Sequence, residues 1–366
     1  MADLDLRRIL DLGRWAPSGD NTQPWRFRMT GERTVEVLGS DTRSWCLYDY
    51  RGIPSYMAHG ALLETLRIAA TEQHARMDWR LRDGCEETAP VYELEFEPVD
   101  GLVADPLLPF IESRCVQRRP MGASPLTSAE MTALVDAAGL DYIVDFRTSG
   151  GERFAVARLL WQSARVRLIC PEAYETHRRI IEWGARFSKD RIPEQAVGVD
   201  SLTARLMQWV LADWKRVDFL NTYLAGTVMP RIQLDFIPGL ACAGHFLIRP
   251  RQPIRSSLNH VQAGMAMQRV WLSAARLGLG FQPEMTPVIF RWYVQDGQAL
   301  SARAPVNAAA VAVAARFNEV WALSAEAPAA FMGRVGRGAP PTSRSLRLDL
   351  DELIVDDKQV RTEAGQ

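Results

Sequence analysis

Little in this sequence announces its chemistry. Cysteine is scarce: Cys46, Cys85, Cys115, Cys170 and Cys242 are odd in number and widely spaced, so neither a disulfide framework nor a CxxC zinc site fits. The five histidines, His59, His74, His177, His245 and His260, lack HExxH or any other short ligand spacing, so no metal site is expected. No charge of one sign prevails. With 43 basic and 44 acidic residues the net charge is −1, which argues against nucleic acid or an anionic membrane surface as partner and leaves only local anion sites. No apolar run approaches the roughly 20 residues that span a bilayer, and Met1-Ala2-Asp3-Leu4-Asp5 lacks a basic region followed by an apolar one, so a cytoplasmic protein is expected. Low-complexity tracts are absent, and no GxGxxG follows a strand pattern.

What is present is ample core material. The chain has 366 residues, 47% hydrophobic and 24% charged, about twice one compact domain, which argues for two packed units or one enlarged fold. Residues 3–15 carry leucines and Ile9 near helical spacing until Pro17 and Gly19 interrupt them. Thr34–Leu38 and Tyr92–Glu97 alternate as half-buried strands do, and Gly60–Gln73 between them reads as a helix. The stretch Val99–Pro109, with Gly101, Pro106 and Pro109, is the linker candidate. Beyond it, Thr127-Ser128-Ala129-Glu130 has the form of a capping box. Residues 151–229 read as mostly helical; Trp161, Trp183, Trp209 and Trp214 there read as core or lid packing. Phe236–Ile248 and Val306–Phe317 read as buried strands, although the alanines at 308–310 also suit a helix. The residues from Val355 to Gln366 read as a flexible tail. Gly60–Ala70 can be laid on Gly264–Ala274 without a gap, a weak internal echo.

Four segments could carry chemistry. In Arg14–Phe27, Pro17, Ser18 and Gly19 force an irregular backbone that frees main-chain groups and the Asn21 amide for a ligand, before Gln23, Pro24 and Trp25 lead back into a sheet. A structural turn is the plain alternative. In Glu112–Pro120, Arg114 and Arg118 stand four apart and suit a phosphate dianion, or a solvated basic surface. In Gly264–Pro287 a helix ends at Gly278-Leu279-Gly280, where glycine lets backbone approach a flat ring or simply caps the helix. Near the end, Arg344 and Arg347 precede Leu348; Arg334 and Arg337, among Gly333, Gly336 and Gly338, read as surface charge.

The first of these segments, Ala16-Pro17-Ser18-Gly19-Asp20-Asn21-Thr22-Gln23-Pro24-Trp25, resembles the APSGxNxQPW loop of the FMN-dependent nitroreductase family. The Arg114–Arg118 segment resembles that family's phosphate-gripping element, with Val116 in place of its serine and Pro120 in place of its aromatic. Gln282, Pro283, Glu284 and Met285 are similar to the stretch that runs along the isoalloxazine ring, and Arg347, with Arg344 as second candidate, to the terminal arginine at the phosphate. The resemblance implies an α+β fold, a nitroreductase-like αβα sandwich, with FMN held between two subunits and chemistry carried by the cofactor, so no catalytic side chain is named. The implied FMN-binding set is Pro17, Ser18, Gly19, Asn21, Gln23, Arg114, Arg118, Gly278, Gly280, Gln282, Pro283, Glu284, Met285, Arg344 and Arg347.

The first half holds the loop and the second half the arginines and the glycine turn. That distribution is similar to the double-length, Acg-like branch, some of whose relatives are assigned to molybdopterin biosynthesis. It implies two tandem halves, 1–105 and 106–354, forming an intrachain pseudo-dimer with one flavin per chain, a helical insertion at about 151–229, and a tail at 355–366. The implied activity is transfer of reducing equivalents from NAD(P)H through FMN to an electron-poor small molecule such as a nitroaromatic or a quinone. The alternative is an FMN-storing or sequestering protein with a lidded site and little turnover. The implied oligomeric state is a monomeric pseudo-dimer or a homodimer.

Overall fold

A computed structural model describes residues 4–224 and 226–356; the expected tail, apart from residues 355 and 356, lies outside them. Helix α1 (Leu6–Gly13) starts where the Asp5 carboxylate accepts from the Arg8 N–H, and it buries Leu6, Ile9, Leu10 and Leu12. Strands β1 (Trp25–Met29) and β2 (Thr34–Gly39), helix α2 (Ile53–Ala70), and strands β3 (Ala75–Leu81) and β4 (Val91–Pro98) follow. The four strands form one antiparallel sheet in the order β1-β2-β4-β3. Helix α2 begins seven residues before the sequence pattern placed it, because Gly52, at φ 73, turns the chain and Pro54 suits the first helical turn. It is buried nearly all round, which accounts for its lack of a polar face.

The second set repeats that plan. Helix α3 (Ser128–Ala138), capped as expected by the Thr127–Glu130 box, precedes β5 (Tyr142–Arg147). Helices α4 (Gly150–Ile169), α5 (Pro171–Ile180), α6 (Ser201–Val210) and α7 (Trp214–Tyr223) come next, then β6 (Gly244–Pro250), α8 (Ser257–Arg276) and β7 (Gly280–Pro283). Helices α9 (Thr286–Gln295) and α10 (Ala304–Trp321) lead to β8 (Phe331–Gly336). This sheet is also antiparallel, in the order β5-β6-β8-β7. Each sheet thus places its first, second, fourth and third strand side by side, with a long helix between the second and third.

Those long helices, α2 and α8, pack against each other through the two glycines of the sequence echo. A Cβ on Gly60 would come within 1.8 Å of the Val261 carbonyl, and one on Gly264 within 2.0 Å of the Met57 carbonyl. Two apolar cores flank this crossing: one around α1, α2 and the first sheet that recruits Val261, Leu272 and Leu353, the other around the second sheet that recruits Tyr50, Met57 and Ala61. The C-terminal segment returns to the first sheet, where Ile354 bridges Phe27. The architecture is α+β.

Two expected strands are corrected. Val306–Phe317 lies in α10, whose buried Val306, Ala310, Val313, Ala314, Phe317 and Trp321 recur with helical period; its alanines favour a helix. Within Phe236–Ile248 only Gly244 onward is strand, because Ile232–Leu240 winds into helical turns. The 151–229 region also contains short extended pieces, Ile181–Glu182 bridged to Ile192–Pro193, and Phe187–Ser188 bridged to Arg344–Ser345.

Candidate functional site

A cavity of about 820 Å³, within the roughly 300–1,000 Å³ typical of cofactor sites, is lined by residues from Pro17 to Arg347. Pro17, Ser18, Gly19 and Asn21 form one edge. The loop there is held in a backbone that side chains seldom adopt: Asp20, Asn21 and Gln23 all have positive φ, at 51°, 66° and 48°. Asp and Asn tolerate that region; Gln23 does so at a cost on the order of 1–3 kcal/mol. The surrounding bonds show what holds it. The Ser18 hydroxyl accepts from the Gln23 N–H at 2.9 Å. The side-chain amides of Asn21 and Gln23 both donate to the Lys189 carbonyl, at 3.0 and 2.9 Å, and Gln23 Oε1 accepts from the Leu348 N–H at 2.9 Å. The expectation that the Asn21 amide faces a ligand is therefore corrected: it fastens the loop to residues 189–191. Gln23 is buried behind the wall.

Beside this loop stand three guanidinium groups, those of Arg114, Arg344 and Arg347. Arg114 donates to the Trp15 carbonyl at 2.7 Å and lies 4.5 Å above the Trp271 ring, which in turn stacks on Phe281 at 4.4 Å. Arg347 donates to the Ala16 carbonyl at 2.9 Å and to Asn21 Oδ1 at 2.7 Å. Arg344 donates to the Glu112 carbonyl at 2.8 Å. Arg114 is 3% exposed and Arg347 7%, yet none of the three makes a salt bridge to a carboxylate of the described residues. The Nε atoms of Arg114 and Arg344 have no partner. Burial first, then Arg344, presses the pKa of Arg114 below the usual arginine range, and burial followed by Arg114 and Arg344 does the same to Arg347. Like charges placed together with unspent donors can accept an anion, a phosphate dianion among them.

Arg118 does not share a face with Arg114. Residues 112–118 are a turn followed by an extended stretch, tied by the Gln117 N–H to the Phe281 carbonyl at 2.9 Å, rather than a helix. Arg118 donates to the Ala196 carbonyl at 3.2 Å and feels Asp20 and Arg334.

Gln282, Pro283, Glu284 and Met285 form another part of the wall. The carboxylate of Glu284 is spent behind it: Oε2 meets His245 Nδ1 at 2.7 Å and Oε1 accepts from Arg334 Nη1 at 2.8 Å. His245 Nε2 faces the Gly239 carbonyl at 2.8 Å. Both ring nitrogens therefore confront acceptors, which requires the doubly protonated imidazolium. Although burial opposes it, Glu284 together with Cys242 holds the His245 pKa up at about 10. The wall consequently carries two buried cations against one anion. Arg334, 2% exposed, is not the surface charge its glycine-rich context suggested.

The turn Gly278–Gly280 does not line the cavity. Gly278, at φ 69, ends α8 in the left-handed conformation, and Gly280 packs against Met121, Gln117 and Gly336. The sequence reading missed the rest of the lining. The Tyr48 hydroxyl is hydrogen-bonded to His177 Nε2 at 2.8 Å, and burial lowers the pKa of His177 to about 3, leaving a neutral ring. Arg167 pairs with Asp235 at 3.1 Å, while Leu202, Leu206, Met207, Val210 and Leu220 of α6 and α7 roof the space. Asp20 lies within the Ala16–Trp25 loop, whereas Tyr48, Arg167 and the roof carry no local signal. Among the described residues no group of three or more His, Cys, Asp or Glu side chains could hold a metal, and no helix is long and apolar enough to cross a membrane.

No family model and no curated protein matches this chain. Solved structures do. The nitroreductase-like family protein from Bacillus cereus is 9% identical, covering 69% of this chain and 97% of its own, with a TM-score of 0.34. The FMN-dependent nitroreductase NfnB from Mycobacterium smegmatis, in complex with NADPH, is 13% identical over 68% and 96%, with a TM-score of 0.36. A nitroreductase with bound FMN from Bacteroides fragilis is 9% identical over 64% and 89%, with a TM-score of 0.32.

Proposed function

We propose that the cavity is an FMN site and that the protein is a flavin-dependent oxidoreductase of nitroreductase type, passing reducing equivalents from NAD(P)H to an electron-poor small molecule. The observation that carries this reading is the carboxylate-free trio Arg114, Arg344 and Arg347 at the foot of a cavity edged by the Pro17–Asn21 loop. A flavin phosphate would take the unspent donors of Arg114 and Arg344, and the ring would lie along Gln282–Met285, in front of the His245–Glu284–Arg334 cluster. When bound, the flavin supplies the two-electron chemistry, as a hydride acceptor and donor. The chain contributes position and charge. Asn21 and Gln23 fix the loop, the two buried cations favour negative charge at the 282–285 wall, and α6 with α7 lines the space with apolar side chains.

The matching strand orders and the reciprocal glycine contacts of α2 and α8 favour a pseudo-dimer whose halves, 1–105 and 106–354, share one site. One flavin per chain is expected; two per chain contradicts the pseudo-dimer. The roof of apolar side chains favours a second reading, a storage protein that holds flavin with little turnover. Purified protein, read for flavin absorbance and then mixed anaerobically with NADH or NADPH, decides between them. Rapid bleaching supports the enzyme, bound flavin without bleaching the storage role, and colourless protein that gains no thermal stability in excess FMN neither.

A further inference from the structure

A second group of charges lines the same cavity. Asp20 sits at φ 51 on the Pro17–Asn21 loop, and its carboxyl makes no hydrogen bond or ion pair among the described residues. The neighbouring acidic groups are occupied. Asp49 accepts from Thr42 and Ser55, Asp235 from Arg167, and the Tyr48 hydroxyl engages His177. Arg167, from α4, spends one terminal nitrogen on Asp235, yet its buried Nε has no partner. An unspent acid and an unspent N–H donor thus border one ligand space.

We propose that Asp20 is the proton donor to the molecule reduced in this cavity and that Arg167 orients the oxygen it protonates. The substrate class is a conjugated carbonyl compound, a quinone or an enone. This rests on the flavin reading, since the reductant is a reduced flavin. A hydride adds to the conjugated carbon, and the displaced electron pair moves through the conjugated system onto the carbonyl oxygen. The Asp20 O–H bond then breaks as an O–H bond forms on that oxygen. The resulting carboxylate lies near Arg118 and Arg167 and recovers its proton from water.

The electrostatics suit this task. Burial raises the Asp20 pKa to about 6, against the pull of Arg118 and Arg167 and with a small push from Asp49; Tyr48 and Cys46, from the turn before α2, also face it. The donor form is therefore populated below about pH 6 and declines above it, close to the matching that general acid catalysis needs.

The test is Asp20→Asn, which tolerates the left-handed backbone and keeps the shape; Asp20→Gly serves if the first variant does not fold. We expect FMN affinity within twofold of wild type, kcat for a quinone lowered by roughly 100-fold or more, and loss of the fall in rate as pH rises through about 6. Burial raises the Asp235 pKa to about 6 as well, so the infrared readout is the difference between flavin-free wild type and variant, which should isolate one protonated-carboxyl band that titrates near pH 6 and belongs to Asp20. Arg167→Lys, which keeps charge and loses Nε–H, should raise KM for the quinone more than it lowers kcat. An unchanged kcat and pH profile in Asp20→Asn, or a band that titrates at the ordinary aspartate value, overturns the assignment. Wild type that binds no flavin overturns the flavin reading instead, while the infrared titration still reports on Asp20.

Discussion

Gly264 lies so close to the carbonyl of Met57 that a Cβ there would stand 2.0 Å from its oxygen. Gly60 is related in the same way to the carbonyl of Val261, three residues before Gly264. Neither oxygen can retreat, because each belongs to a helix buried on most faces. Gly264→Ala or Gly60→Ala should therefore destabilise the protein by about 3 kcal/mol or more, at the upper end of overpacking. Urea denaturation gives the number; a loss below about 1 kcal/mol would mean that α2 and α8 separate easily.

Arg114 should matter little to stability and much to binding. It makes no salt bridge and is crowded by Arg344, so Arg114→Gln should leave the flavin-free protein within about 1 kcal/mol of wild type. Its loss removes a charge-assisted bond to the phosphate, which lowers FMN affinity by roughly 1.5–3 kcal/mol. Thermal unfolding and calorimetric titration separate the two. Inorganic phosphate should also raise the Tm of wild type more than that of the variant. Equal responses would remove Arg114 from the anion site.

Local signals in the sequence explain which parts of this arrangement were legible. Alternation announced β2 and β4, a capping box announced α3, and a run of Pro, Ser and Gly announced the loop that edges the cavity. Arg114, Arg344 and Arg347 were found by type, yet their convergence on Trp15 and Ala16 depends on contacts spanning up to 332 residues, which no window contains. The misreadings follow the same logic. Val306–Phe317 was weighed by apolar content, which strand and buried helix share, although its spacing was helical. Asn21 was assigned to a ligand because its partner, Lys189, lies on a distant strap. His245 and Arg334 sit in apolar strands, and only the fold shows that both meet Glu284.

Asn21 serves the loop through its conformation and its amide, and two substitutions separate these. Asn21→Gly keeps the backbone at φ 66 and loses the bonds to Lys189 and Arg347; Asn21→Ala loses the same bonds and adds left-handed strain. Alanine should be less stable than glycine by about 1 kcal/mol. Both variants should release residues 181–193 to limited proteolysis, because that strap is tied to the loop through Lys189. Protection equal to wild type in both would show that the strap is held without Asn21, by the Gln23 amide and its bridge to Arg344–Ser345.

The His245 imidazolium gives a pH dependence of definite sign. Its folded pKa, about 10, lies above the ordinary 6.5, so the folded state binds a proton that the unfolded chain releases between those values. The stabilisation is complete below about pH 6.5 and is lost as pH rises through about 10. Urea midpoints of wild type should therefore fall across that window. In His245→Gln, whose amide can donate to Glu284 but cannot titrate, the fall should be smaller, and the difference between the two curves removes the other groups that titrate there. Parallel curves would mean a neutral His245, with one ring nitrogen turning its lone pair toward Glu284 or the Gly239 carbonyl and the cavity wall left without its excess positive charge.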